Sequence, residues 1–195
     1  MMKKLLTTIS LALTLCLSLT TVFAAPSINK NGAVKKDSIL INGEKVDANT
    51  TAAFDSKKET YSAAGVSDET IDVIEKVNAN PSQLASLIKG VDLSGYSLLT
   101  EFQDLSVYVN GELKQKVKNV TLTWEVPNLV KTAKNVKVLH YSTERNTWEI
   151  LTPKSVDFDN KTITQEFKDL SPVAVIYQAG DANANKNGTK ANSTK

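Results

Sequence analysis

From position 120 to 126 the chain reads Val-Thr-Leu-Thr-Trp-Glu-Val, apolar at every even position and polar at three odd ones. A strand turns successive side chains to opposite faces, so this rhythm buries one face and wets the other; a helix cannot bury it. The same period begins near Phe102, where Leu105, Val107 and Val109 alternate with Ser106, Tyr108 and Asn110. Asn110-Gly111 follows, a dipeptide that accepts positive φ in a tight hairpin turn. Further short apolar runs lie at 136–141, 148–151, 156–158, 163–167 and 172–177. Short strands at this spacing, with turn residues between them, predict an antiparallel β-sandwich of about seven strands over 101–179.

Upstream the period changes to that of a helix. Ser67 is placed to cap a helix whose first turn holds Asp68 and Glu69, with Ile71, Ile74 and Val77 on one face. Asn80, Pro81 and Gln83 read as the start of a second helix with a capping box, Leu84, Leu87 and Ile88 as its stripe, and Gly90 as its stop. Segment 66–100 is therefore expected to be a helical hairpin docked on something apolar, because helices of about three turns are marginal alone. The fold class is α+β, mainly β. Segment 25–65 is polar and poor in pattern; it is expected to be partly ordered, with one hairpin at 38–46 around Asn42-Gly43.

The two termini read as appendages. Lys3 and Lys4 precede an uncharged apolar run, and Val22-Phe23-Ala24 places small side chains where signal peptidase reads, so 1–24 is expected to be a cleaved export signal. Residues 180–195 are hydrophilic and of low complexity and are expected to be disordered. Cys16 leaves with the signal, so the mature chain has no thiol for a disulfide, a metal or catalysis. The formal net charge of +2 falls to zero once Lys3 and Lys4 are removed. No basic block interleaved with aromatics is present, which argues against nucleic acid as a partner. No second apolar run has spanning length, so no transmembrane segment is expected in the mature chain.

One stretch, Leu-His-Tyr-Ser-Thr-Glu-Arg-Asn-Thr-Trp-Glu-Ile-Leu at 139–151, concentrates chemically capable residues around the single histidine, His140. A catalytic histidine needs a nucleophile or metal and an orienting partner. No second histidine and no nucleophile-elbow motif is present. The alternation instead gives a hairpin: Val136, Val138 and His140 on one face, Leu139 and Tyr141 on the other, with Glu144 and Arg145 at an exposed tip and Asn146 in the left-handed turn position. No catalytic residue, metal site or cofactor is assigned. Asp157 and Asp159 share a strand face, as a glycosidase pair would, but lie at a turn where Asp and Asn serve the backbone. Of the aromatic residues, Trp124 falls in the buried register. Tyr108 and Tyr141 alternate against their apolar neighbours and are the expected exposed pair, hence the candidate ligand-binding residues.

The phrases VTLTWEVPNLV, VKVLHYSTERNTWEIL and FKDLSPVAVI carry a resemblance. Positions 120–176 resemble a module of small exported and cell-surface proteins of anaerobic Gram-positive bacteria, a largely uncharacterised family. The resemblance covers about a third of the chain and implies an extracellular, immunoglobulin-like β-sandwich; no functional residue carries over with it. The sorting motif, hydrophobic segment and basic end of wall-anchored relatives are not seen after the module, so release or loose surface association is expected. The resulting expectation is a secreted, non-enzymatic interaction or adhesion module. Its partner would be a cell-wall polymer, a glycan or a surface protein. The alternatives are a carbohydrate-binding module using Tyr108 and Tyr141, and a small extracellular hydrolase.

Overall fold

The structure, a computed structural model, describes residues 25–114 and 116–179. The expected export signal and hydrophilic tail lie outside the described residues. In chain order the elements are a 3-10 turn Lys36–Ser38, β1 Leu40–Ile41, β2 Glu44–Lys45, β3 Thr50–Asp55, α1 Lys58–Ala63 and α2 Asp68–Ala79. A 3-10 turn Pro81–Gln83, α3 Leu84–Leu87, β4 Tyr96–Leu98, β5 Gln103–Val109, β6 Glu112–Lys114 and β7 Lys118–Glu125 follow. The chain continues through β8 Ala133–Ser142, β9 Thr147–Leu151, β10 Ser155–Asp157, β11 Thr162–Asp169 and β12 Pro172–Ala179. No helix among the described residues is long and apolar enough to cross a membrane.

The fold is α+β and mainly β: two antiparallel sheets stacked face to face. The smaller sheet runs β10-β11-β7-β1-β2. The larger runs β3-β5-β12-β8-β9, with β4 on β12 and β6 on β5. Val120, Leu122, Trp124, Ile163 and Phe167 from the smaller sheet meet Leu105, Val107, Val138, Val173 and Val175 from the larger, forming the core between them. The other face of the larger sheet is covered by the helices, where Ile71, Ile74 and Val77 pack on Leu139, Ala174 and Ile176. A central strand apolar on both faces is what a three-layer stack requires, and β12 is buried on both. Each fully buried aliphatic side chain in these layers stabilises the fold by about 1.5–3 kcal/mol.

Local chemistry explains the elements that match expectation. Ser67 accepts the amide of Thr70 and caps α2. Asn42 and Gly43 take φ of 54° and 83°, and Asn110 and Gly111 take 54° and 80°, so both dipeptides close hairpins.

Among the described residues twelve strands, several of only two or three residues, make up the two sheets, and eight of them, β5 to β12, lie in the span 101–179 where about seven were expected. Two expectations need correction. Segment 25–65 is built into the fold: β3 pairs with β5 along its whole length, and α1 follows it. The second helix is reduced to a 3-10 turn and a four-residue α3. Asn80 makes no capping bond there, because its side-chain oxygen accepts the Ser82 hydroxyl at 2.7 Å.

A strap of residues 29–35 ties the two sheets together. Glu101 N donates to Asn29 O at 2.8 Å beside the larger sheet. Gly32 N donates to Glu125 O at 2.8 Å and Lys35 N to Thr123 O at 2.8 Å, so this part lies along the edge of β7 that β1 then takes over. Between these anchors Asn31 accepts the Trp124 indole N–H at 3.0 Å. Asn31 N also donates to Gln103 Oε1 at 2.6 Å. A Cβ on Gly32 would stand 2.8 Å from the Cβ of Glu125, so the close approach of strap to strand needs glycine there.

Candidate functional site

The β8–β9 hairpin forms as the alternation requires, with Tyr141 opposite Trp148 and Asn146 at φ 50°. His140 points into the space between the sheets and is fully buried, its ring 5.5 Å from that of Phe167. It is not alone there. Ser171 Oγ stands 2.9 Å from His140 Nε2, and Glu149 Oε2 stands 3.5 Å from Nδ1. Serine, imidazole and carboxylate thus lie in the order of a nucleophilic relay, which sequence reasoning missed because Ser171 precedes an apparently ordinary strand.

The surroundings give the array a structural task. Ser171 is fully buried, and its hydroxyl donates to the carbonyl of Tyr141. With that proton committed, Nε2–H is the donor to Ser171 Oγ, and Nδ1 is left without a hydrogen-bond partner. Burial holds the imidazole below its ordinary pKa; Asp169 and Glu149 oppose this, and Arg145 adds to it. The ring is therefore neutral at pH 7. A nucleophile needs a free hydroxyl, a base able to receive its proton, and access for substrate; Ser171 has none of the three.

Arg145 lies at the exposed hairpin tip, as expected, and there it also acts as a clamp. Its guanidinium reaches Glu149 at 2.9 Å and Asp169 at 3.0 Å, and Nε donates to Ser142 Oγ at 3.0 Å. Ser142 in turn donates to Asp169. The clamp locks the β8–β9 turn to the end of β11.

Asp169 also lines a cavity of about 140 Å³. Its origin lies in the pairing of β5. One edge of that strand is taken by β12 at Gln103 and Asp104, and by β6 from Val107 onward. Leu105 and Ser106 fall between these partners, and the cavity opens beside them. Leu105, Val117 and Leu170 supply apolar wall, Ala63 to Gly65 at the end of α1 close one side, and Leu113 and Lys114 stand at the rim. Leu113 is the one large apolar side chain exposed among the described residues, at 38%. The carboxylates at the cavity are already engaged: Asp169 with Arg145, and Glu144 with Lys118 at 2.5 Å. Lys114 and Lys116, both exposed at the mouth, form no ion pair among the described residues.

The two tyrosines expected as an exposed pair do not form one. Tyr141 is only 7% exposed and packs edge-on against Trp148, with ring centroids 5.1 Å apart. The alternation was read correctly, but the face opposite the sandwich core is covered by the helices instead of solvent. Tyr108 is half-buried and stands opposite Leu113 on β6, one residue from the cavity rim. Asp157 serves its turn, accepting from the backbone amides of Asp159 and Asn160 at 3.0 and 2.9 Å. Asp159 pairs with Lys131. Among the described residues no group of three or more His, Cys, Asp or Glu side chains is placed to hold a metal.

A second polar site lies under α1. Asp104 is 1% exposed and opposite Asp55 in the β3–β5 register. Oδ2 accepts the Ser106 hydroxyl at 2.7 Å, while Oδ1 has no partner. Burial pushes this carboxyl up to about 6; the Ser106 bond opposes the rise and Asp55 adds to it. Comparison with protein-family models, with curated proteins and with solved structures finds no match for this chain.

Proposed function

We propose that this chain is an exported, non-enzymatic binding module of the bacterial cell surface, with the cavity beside β5 as its recognition site. The observation that carries the reading is the contrast between the two polar arrangements. The serine–histidine pair is sealed and the serine proton is spent on an internal bond, while the cavity open to solvent offers apolar wall, ion-paired carboxylates and two exposed lysines. Such a surface recognises by shape and burial, not by bond making. Export is supported by the two lysines, the uncharged apolar run and the small residues at Val22 to Ala24. A cell-wall polymer, a glycan or a surface protein is the class of partner this location supplies; the balanced charge of the mature chain gives no reason to expect nucleic acid.

The test is retention. Purified mature protein is incubated with isolated cell-wall material, with immobilised glycans and with surface-protein extract, beside a Leu113→Asp variant that places a charge at the cavity mouth. The wild type is retained by one of the three, and the variant at least several-fold less. A protein that stays free of all three, or ester or glycoside turnover that disappears in Ser171→Ala, sinks the reading.

A further inference from the structure

The geometry points to an occupant for the cavity: an extended acidic peptide segment that inserts one aliphatic side chain between carboxylates. This rests on the reading of the cavity as a recognition site and adds the chemistry of what enters it.

Size is the first argument. A buried apolar cavity of about 150 Å³ takes one benzene ring, so a space of about 140 Å³ takes one leucine- or isoleucine-sized group and no more. Leu105, Val117 and Leu170 are the apolar wall such a group would cover.

Charge is the second. Both carboxylates that line the cavity are ion-paired, Asp169 with an Arg145 that Glu149 shares, and Glu144 with Lys118. Lys114 and Lys116 line the cavity, are exposed, and form no ion pair among the described residues. The excess is positive, so the complement is negative. The lysines line the cavity with exposed side chains, so the carboxylates of the ligand belong beside its apolar group, not at its buried end.

The third argument is the sheet edge. Leu105 and Ser106 have no strand beside them on the edge shared by β12 and β6. The gap is two residues long, so the part of an extended chain that carries the inserted side chain can bond its main chain there, as strands added to open edges do. A compact hydrophobic ligand would leave that edge and both lysines unused.

The probe is the peptide acetyl-EELEE-amide carrying a fluorophore, read by anisotropy at low and moderate salt, with amide shifts of the protein mapped in parallel. Three controls accompany it: the same peptide with alanine for leucine, with lysine for every glutamate, and the mature protein carrying Lys114→Glu and Lys116→Glu together. Both lysines are exposed, so the double variant retains the fold, which its amide spectrum checks. The acidic peptide binds, its shifts centre on Ala64, Ser106 and Leu113, and salt weakens it. Affinity falls roughly tenfold with alanine in the peptide, and by a similar factor with the double variant. The lysine peptide binds the double variant better than it binds the wild type.

Equal binding of the leucine and alanine peptides, indifference to the charge reversal, or shifts centred elsewhere overturns the proposal. Retention of the wild type on cell-wall material or glycans with no binding of any peptide also overturns it, and leaves the binding-module reading in place.

Discussion

At the residue scale, the buried ionisable groups set the pH response. Asp104 has a folded-state pKa raised to about 6 from 3.8. The folded state therefore binds its proton more tightly than the unfolded state does. The resulting stabilisation is complete below 3.8 and is lost as pH rises through 6. A tenfold difference in acidity is worth about 1.4 kcal/mol, so ionised Asp104 costs the fold roughly 2–3 kcal/mol at pH 7. Asp104→Asn keeps an acceptor for Ser106 and removes the charge. Urea titrations are expected to show it more stable than wild type by roughly 1–3 kcal/mol at pH 7, with the advantage gone near pH 3.5. His140 has the opposite sign: its folded-state pKa is lowered, so its contribution is intact above 6.5 and is lost as pH falls below that value. Nitrogen-15 spectra of the imidazole are expected to show the neutral Nε2–H form at pH 7, with protonation setting in only below the ordinary 6.5. A ring that titrates near 6.5 contradicts the sealed array.

At the element scale, helix starts and turns were legible in the sequence because they are decided within a few residues. Ser67, Asn42-Gly43, Asn110-Gly111 and Asn146 all do what their side chains and φ preferences dictate. Replacing Ser67 with alanine leaves the Thr70 amide without its cap, and denaturant unfolding should register a loss of about 1 kcal/mol. Elements fixed by distant partners were not legible. The β3 run Thr-Thr-Ala-Ala-Phe-Asp has small side chains, no strict alternation and no turn signal, and becomes a strand because β5 offers an open edge. The strand β12 was read, but not that it shares one edge between β4 and β5. Site residues divide in the same way. The period of two placed Tyr141 on the face away from the core, yet it carries no information about what covers that face. The Ser171–His140 contact joins residues 31 apart and has no local signature.

At the scale of the whole molecule, the stack of two sheets under a helical layer depends on residues that bridge layers. Asn31 is the clearest. It satisfies the buried Trp124 indole and, through its backbone amide, Gln103. Asn31→Ala orphans that N–H between the sheets, and a loss of about 1–3 kcal/mol is expected in thermal or urea unfolding, accompanied by a changed Trp124 emission. Little of this was visible beforehand, because a polar segment with an occasional apolar residue gives no period to read. Two-sheet architecture followed from alternation alone; which segment laces the sheets together did not.

The strap also determines how the molecule bears tension. Anchored to the larger sheet through Asn29 and to the smaller through Gly32 and Lys35, it divides a pull on Ala25 between both layers. Its bonds to β7 run side by side, so a tug along the strand loads several together instead of unzipping them singly. A protein tethered by that end would resist stretching until the bonds of Gly32, Ala33 and Lys35 to β7 gave way together, and only then would the sandwich open.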